Sequence, residues 1–304
     1  MCSILSDESF LNMERLSLPV ICPAQLRPIN RRADYGPEPG APMTRGRLIA
    51  AASVLVVATT GYIFVLFDTL ALANANPRLI GQLDLHVARL FFDLRSDRLI
   101  DLFTVVTAFG NWGIVFLLAA SASVVLWLTR RLRYIPELWF VLIGNQTLIA
   151  LLKGLFLRPR PEYAVYREVT ASFPSGHSAA SFALFGFLTY VLVRERTGPK
   201  VLVLVGGLVI VILVGLSRLI LGEHYFSDVL SGYLVGAVWV VLGICLTELR
   251  SGTVARTGVT EPRRMLAVFA VILLTGIALC FTVKTYIGSL QSADTDSAEQ
   301  SSVG

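Results

Sequence analysis

The chain has 304 residues, of which 55% are hydrophobic and only 15% charged, and its mean hydropathy is +0.69. Soluble domains carry about 25% charged residues, so this composition argues against a soluble globular protein. The net charge of +5 comes from Lys and Arg that flank long apolar runs, as membrane insertion requires, and no nucleic-acid partner is expected.

Residues 1–43 are Pro-rich and show neither helical nor strand periodicity, so they are expected to be disordered. Met43, ahead of Arg45 and Arg47 and an apolar run, is a second plausible start. Seven apolar stretches follow: 48–67, 102–129, 138–152, 169–193, 201–217, 229–247 and 265–283. A membrane-crossing helix needs about 20 residues, and open strands cannot cross lipid, so seven transmembrane helices are predicted. Between the first two, residues 84–101 have apolar positions at helical spacing and read as an amphipathic helix on the membrane surface. The expected layout is a membrane-embedded core at 44–250, an extra helix at 251–288 and a flexible tail at 289–304.

With the N-terminus inside, the clusters Arg130, Arg131, Arg133 and Arg194, Arg196, Lys200 also fall inside, as do Arg250, Arg256, Arg263 and Arg264. This satisfies the positive-inside bias and predicts that the connections after the third and fifth spans face outward, in a cell membrane. The four cysteines, Cys2, Cys22, Cys245 and Cys280, have no metal-binding or disulfide spacing and read as small apolar fillers.

Three polar clusters interrupt the apolar pattern on that outer side. Lys153 to Pro161 ends the third span, Pro174-Ser175-Gly176-His177 opens the fourth, and Ser217 to Asp228 joins the fifth to the sixth. Lys153, Arg160 and Arg218 are cations at membrane depth or just above it, costly unless paired or hydrated, and no comparable cluster of carboxylates is expected nearby to balance them. Converging cations favour an anion, and Arg suits bidentate phosphate contact. The Ser175-Gly176 amides at a helix start favour the same ligand. Two of the three histidines, His177 and His224, lie here, and Asp228 follows His224 by four residues, a spacing that can orient an imidazole.

At these residues the chain resembles the type 2 phosphatidic acid phosphatases, whose three signatures are Lys-x6-Arg-Pro, Pro-Ser-Gly-His and Ser-Arg-x5-His-x3-Asp. All eleven specified positions match: Lys153, Arg160, Pro161, Pro174, Ser175, Gly176, His177, Ser217, Arg218, His224 and Asp228. The resemblance covers about residues 48–250 and leaves the seventh span unexplained. It implies an all-α membrane bundle with a six-helix core. It also implies a phosphohistidine on His224, oriented by Asp228, with His177 protonating the leaving oxygen. Lys153, Arg160, Arg218 and the Ser175-Gly176 amides would hold the phosphoryl oxygens, without metal or other cofactor. The implied partner is a lipid phosphate or diphosphate, such as undecaprenyl diphosphate, phosphatidylglycerophosphate or phosphatidic acid. The family shares its site with vanadium haloperoxidases, so a vanadate-dependent oxidant chemistry is the competing enzyme class, and a silent lipid-phosphate carrier is the other alternative.

Plainer readings attach to the neighbours. Arg158 and Arg167 read as interfacial anchors, His86 as structural, Glu223 as a solvated loop charge and Tyr225 as an interfacial aromatic. Asn111-Trp112 and Asn145-Gln146 read as interhelical hydrogen-bonding groups.

Overall fold

The structure is a computed structural model and describes residues 45–71, 79–166, 168–250 and 262–302. The expectations for residues 1–43, for Arg167 and for the connection beginning at 251 lie outside these residues.

Among the described residues every regular element is helical. They are α1 (Arg45–Ala71), α2 (Leu79–Asp93), α3 (Asp97–Thr107), α4 (Trp112–Leu128), α5 (Ile135–Phe156), α6 (Gly176–Arg194), α7 (Lys200–Ile220), α8 (Phe226–Arg250) and α9 (Pro262–Ser302), with short 3-10 turns before α4 and α5. A chain this apolar must satisfy its backbone groups internally, and helices do so within each segment. Five helices (α5, α6, α7, α8 and α9) are long and apolar enough to cross a membrane, and α3 with α4 forms a sixth candidate bent by 53°. In α1 the apolar stretch is shorter, Ala52–Ile63. The expected all-helical membrane bundle is therefore present, and by length and composition its spans number five or six among the described residues.

Helix α6 sits at the centre, packed on α5, α7 and α8. Leu138, Val141 and Leu142 of α5 meet Ala183, Leu184 and Phe187 of α6 in one buried cluster. Small residues permit the closest approach: a Cβ on Gly232 of α8 would stand 2.5 Å from the Ser175 carbonyl oxygen. Glycine there lets the start of α8 lie against the start of α6, and both carry site residues.

The amphipathic segment differs from expectation. One helix over 84–101 is predicted, whereas α2 ends at Asp93 and α3 begins at Asp97, with Ser96 extended (φ −140°, ψ 159°). Arg95, in the break, turns inward. Its Nε donates to the Ile220 carbonyl at 2.5 Å and its Nη1 to the Tyr163 carbonyl at 2.6 Å. These charge-assisted bonds offset the lost helical turn and send α3 down into the bent pair.

Helix α9 starts beside the end of α4, where Arg264 donates to the Leu128 carbonyl at 3.4 Å. It packs along α4, so its later half returns toward the start of that helix. The helix runs on to Ser302, past Ser289 where the sequence reading begins a tail. Residues 290–302 hold no Pro or Gly to stop it.

Candidate active site

Helices α5 to α8 alternate in direction, so the C-terminal ends of α5 and α7 meet the N-terminal ends of α6 and α8. Those four ends carry Lys153, Arg218, His177 and Asp228, while Arg160 and His224 stand in the connections. Helix α5 stops because Leu157 turns left-handed (φ 45°, ψ 31°) and Pro159 and Pro161 cannot continue a helix. After α7, Gly222 takes φ +68°, and a Cβ there would meet the Tyr163 carbonyl oxygen at 2.6 Å. The turn lets the amides of Glu223 and His224 both donate to the Arg218 carbonyl, at 3.0 and 3.3 Å. Pro161 and Pro174 are buried in these turns, and Ser217 Oγ donates to the Val214 carbonyl at 2.6 Å inside α7.

A cavity of about 350 Å³ opens at this end, and Lys153, Glu168, Thr170, Gly176, His177 and His224 line it. From α4 and α5, Trp112 and Gln146 close the other side. Asn111 also lines the cavity, and its side chain caps α4 by accepting the Gly113 amide at 2.9 Å. The interhelical reading of Trp112 and Gln146 thus gives way to a place on the cavity wall.

His224 is 2% exposed, and its two ring nitrogens have different surroundings. Nδ1 lies 3.6 Å from Asp228 Oδ2, and Ser172 Oγ stands between them, 3.3 Å from Nδ1 and 2.5 Å from Oδ2. Nε2 lies 3.5 Å from Arg160 Nη1, on the cationic side. Burial first, and then the charges of Arg218, Arg160 and Lys153, hold this imidazole well below its ordinary value, which favours its neutral form.

The cations are not unbalanced, contrary to expectation. Arg160 Nη2 pairs with Glu168 Oε2 at 2.5 Å and Arg218 Nη2 with Glu168 Oε1 at 2.9 Å. One carboxylate therefore bridges two of the three predicted phosphate-binding cations. Burial alone would raise the Glu168 carboxyl, but Arg218 and Arg160 outweigh it and hold the group far below the usual carboxylate range. Glu223 is buried (1% exposed) rather than solvated, 3.4 Å from Arg160 Nη1 and 3.8 Å from Arg218 Nη2, with the Tyr166 amide donating to it at 2.9 Å. Burial raises its carboxyl, and Arg218 only partly opposes this. Lys153 Nζ instead donates to the Ala171 carbonyl, with Thr170 Oγ1 at 3.4 Å.

Of the two amides expected to cradle an anion, Ser175 N–H donates to the Asp228 carbonyl at 3.0 Å, while Gly176 lies on the cavity wall. Ser175 serves as the α6 cap, its Oγ accepting from the Ser178 amide at 3.5 Å.

Arg158 is no lipid-facing anchor. Its guanidinium joins Asp228 Oδ1 at 2.5 Å to Asp84 Oδ2 at 2.7 Å and lies 4.2 Å above the Tyr225 ring. Asp84, 1% exposed on α2, also accepts from Ser227 N at 2.9 Å and Ser227 Oγ at 2.6 Å, capping the start of α8. His86 on the same helix is exposed. Asp84, Arg158, Glu168 and Ser172 escaped sequence reasoning because none belongs to a motif. The one available signal was Asp84, a carboxylate beside the apolar face of a predicted amphipathic helix.

Residues 136–251, which hold all of these cations and both site histidines, match the model of the PAP2 superfamily. The chain is similar in fold to the crystal structure of a transmembrane PAP2-type phosphatidylglycerolphosphate phosphatase from Bacillus subtilis. That likeness has a TM-score of 0.54 and 24% identity, covers 61% of this chain and 94% of the other, and establishes the fold. The chain is 35% identical over 105 residues to phosphatidylglycerophosphatase B of Bacillus subtilis, 33% of this chain and 51% of that protein. It is 30% identical over 126 residues to lipid A 1-phosphatase of Rhizobium johnstonii, 38% of this chain and 48% of that protein. The chain thus spans about half the length of these curated relatives. Together, the PAP2 fold and the apolar helices make this a multi-pass membrane protein.

Proposed function

We propose that the protein is a membrane phosphatase that hydrolyses a lipid phosphate or diphosphate through a phosphohistidine on His224. The observation that carries this reading is the convergence of His224, Lys153 and His177 on one cavity, whose wall residue Glu168 is bridged by Arg160 and Arg218. The names of the PAP2 relatives, a phosphatidylglycerophosphatase and a lipid A 1-phosphatase, point to the same class.

In this mechanism the phosphoryl group displaces Glu168 and takes its place between Arg160 and Arg218, with Lys153 on the third side. His224 Nε2 attacks phosphorus as the bond to the leaving oxygen breaks, and His177 gives that oxygen its proton. Water then attacks the phosphohistidine, His177 takes the water proton, and phosphate leaves a regenerated His224. Asp228, with Ser172 between, holds Nδ1 and stabilises the charge that develops on the ring. The fixed cations supply the electrostatic stabilisation on which phosphoryl transfer depends, so no metal is required.

A cavity at the end of a helix bundle suits a head group whose tail stays in lipid. The candidates remain undecaprenyl diphosphate, phosphatidylglycerophosphate and phosphatidic acid, because the site addresses the phosphate. The charge bias of the connections supports a site on the extracytoplasmic face. The test is phosphate release by purified protein across these lipids, with and without EDTA. Release that persists in EDTA from at least one of them is expected. No release from any lipid, or release abolished by EDTA and restored by a divalent ion, overturns the corresponding part of the proposal.

A further inference from the structure

Helix α9 lies outside the matched PAP2 segment, yet one of its side chains reaches the site. Tyr286 Oη stands 3.3 Å from His177 Nε2. The Arg218 guanidinium lies near the same phenol. The approach follows from topology. α9 begins beside the end of α4 at Leu128, runs back along α4, and so brings its later half to the α4 start, where Asn111 and Trp112 wall the cavity. Most of α9 exposes large apolar side chains, among them Leu266, Phe269, Leu273 and Phe281. A polar side chain turned inward from such a helix needs a partner, and the imidazole is that partner.

We infer that Tyr286 is a positioning residue for His177, so that the seventh predicted span completes the site instead of merely lengthening the bundle. The inference rests on the reading of His177 as general acid. Protonated His177 has two N–H groups. If Nε2–H is donated to the Tyr286 oxygen, the other ring nitrogen is left to deliver its proton to the leaving oxygen. After delivery the ring is neutral and keeps its remaining proton on Nε2, still bonded to Tyr286. The phenol therefore holds both protonation states in one orientation and selects the tautomer that can take a proton back from water in the second step. No proton is lost to or gained from Tyr286 over the cycle.

Tyr286→Phe keeps the ring and its packing and removes only the oxygen. On a lipid monophosphate, kcat is expected to fall about ten-fold, the order of one lost orienting hydrogen bond, with KM within about two-fold. On p-nitrophenyl phosphate, whose leaving group needs little protonation, the rate should stay within about two-fold. The decisive arm is a double-mutant cycle: in a His177→Ala background, Tyr286→Phe should cost nothing further on the lipid. A Tyr286→Phe enzyme with wild-type kcat on the lipid overturns the inference. So does a loss that is equal on both substrates, or one that repeats undiminished in the His177→Ala background, since either marks a structural role. Failure of the underlying phosphatase reading looks different: the wild-type protein then releases no phosphate from any lipid.

Discussion

Arg158 Nη1 lies 2.5 Å from Asp228 Oδ1 while its Nη2 holds Asp84, so helix α2 is tied through one guanidinium to the carboxylate that stands 3.6 Å from His224 Nδ1. All three groups are largely buried. Ions taken out of water are tolerated when each has a partner, and here the chain Asp84–Arg158–Asp228 alternates in sign.

This chain gives the first prediction. Asp84→Asn keeps the shape but leaves Arg158 with a single carboxylate and weakens the cap on α8. Thermal stability should fall by several degrees, since disrupting a buried charge pair costs about 3–5 kcal/mol and a smaller share is retained by the amide. Turnover of lipid and of p-nitrophenyl phosphate should fall together, because the damage reaches the nucleophile and not the leaving group. Arg158→Lys should fail to restore a lost Arg, since an ammonium cannot make the two-sided contact. Melting curves and kcat on both substrates check this, and an unchanged melting temperature in Asp84→Asn contradicts it.

The second prediction concerns Glu168. Its carboxylate bridges Arg160 and Arg218, so an incoming phosphate competes with it for two charge-assisted contacts. Glu168→Gln removes the competing charge. Inorganic phosphate should then inhibit hydrolysis of p-nitrophenyl phosphate about ten-fold more tightly, roughly 1.4 kcal/mol. Weaker inhibition in the variant would mean that Glu168 supports the anion site instead of occupying it.

The motifs made the cationic end of the bundle legible, because Lys153, Arg160, His177, Arg218 and His224 sit at the ends of recognisable apolar runs. Their partners were not legible. Asp84 and Glu168 come from a surface helix and a loop, and only the tertiary fold brings them to Asp228 and Arg218. Tyr286 is sequence-distant from His177 by more than a hundred residues, and its hydroxyl gives no periodic signal on an apolar helix. The break at Arg95 was hidden for a related reason: the carbonyls that receive its guanidinium belong to Tyr163 and Ile220. Spacing within one helix reports faces, whereas these contacts depend on how helices and loops meet.

The third prediction is a pH profile. Burial and the surrounding cations hold His224 well below its ordinary value of about 6.5. If His224 is the proposed nucleophile, its neutral form survives acidification that would protonate a free imidazole. Corrected for substrate ionisation, kcat/KM should show no half-loss centred near pH 6.5 that is attributable to the nucleophile. Stability has the matching sign. Below about pH 6.5 the unfolded chain binds a proton at His224 that the folded chain refuses, so stability falls as pH drops. Glu168, depressed in the folded state, adds to the fall below its unfolded value of about 4.3, because the unfolded carboxylate again binds the proton first. Glu223, raised in the folded state, acts in the opposite sense, so the reading is taken against His224→Ala: between about pH 6.5 and 5 the wild type should lose more melting temperature than the variant, and an equal or smaller loss would contradict the His224 assignment.

The last prediction separates the two histidines. His224, beside Asp228 and Ser172 with Nε2 toward Arg160, is proposed as the nucleophile. His224→Ala should abolish phosphoenzyme formation and turnover together. His177, on the opposite wall of the cavity, is proposed as the acid, and its loss should depend on the leaving group. An aliphatic lipid alkoxide needs a proton as the P–O bond breaks, whereas nitrophenolate barely does. General acid catalysis is worth about 100- to 10,000-fold, so His177→Ala should lose that order of kcat/KM on a lipid monophosphate and far less on p-nitrophenyl phosphate. Asp228→Asn, Lys153→Ala and Arg218→Ala should slow both substrates alike, because they act on the nucleophile or the transferred group. The quantity to measure is the ratio of kcat/KM on the two substrates for each variant. Equal losses for His177→Ala remove it from the role of acid. A phosphohistidine trapped in His224→Ala and absent from His177→Ala reverses the two roles.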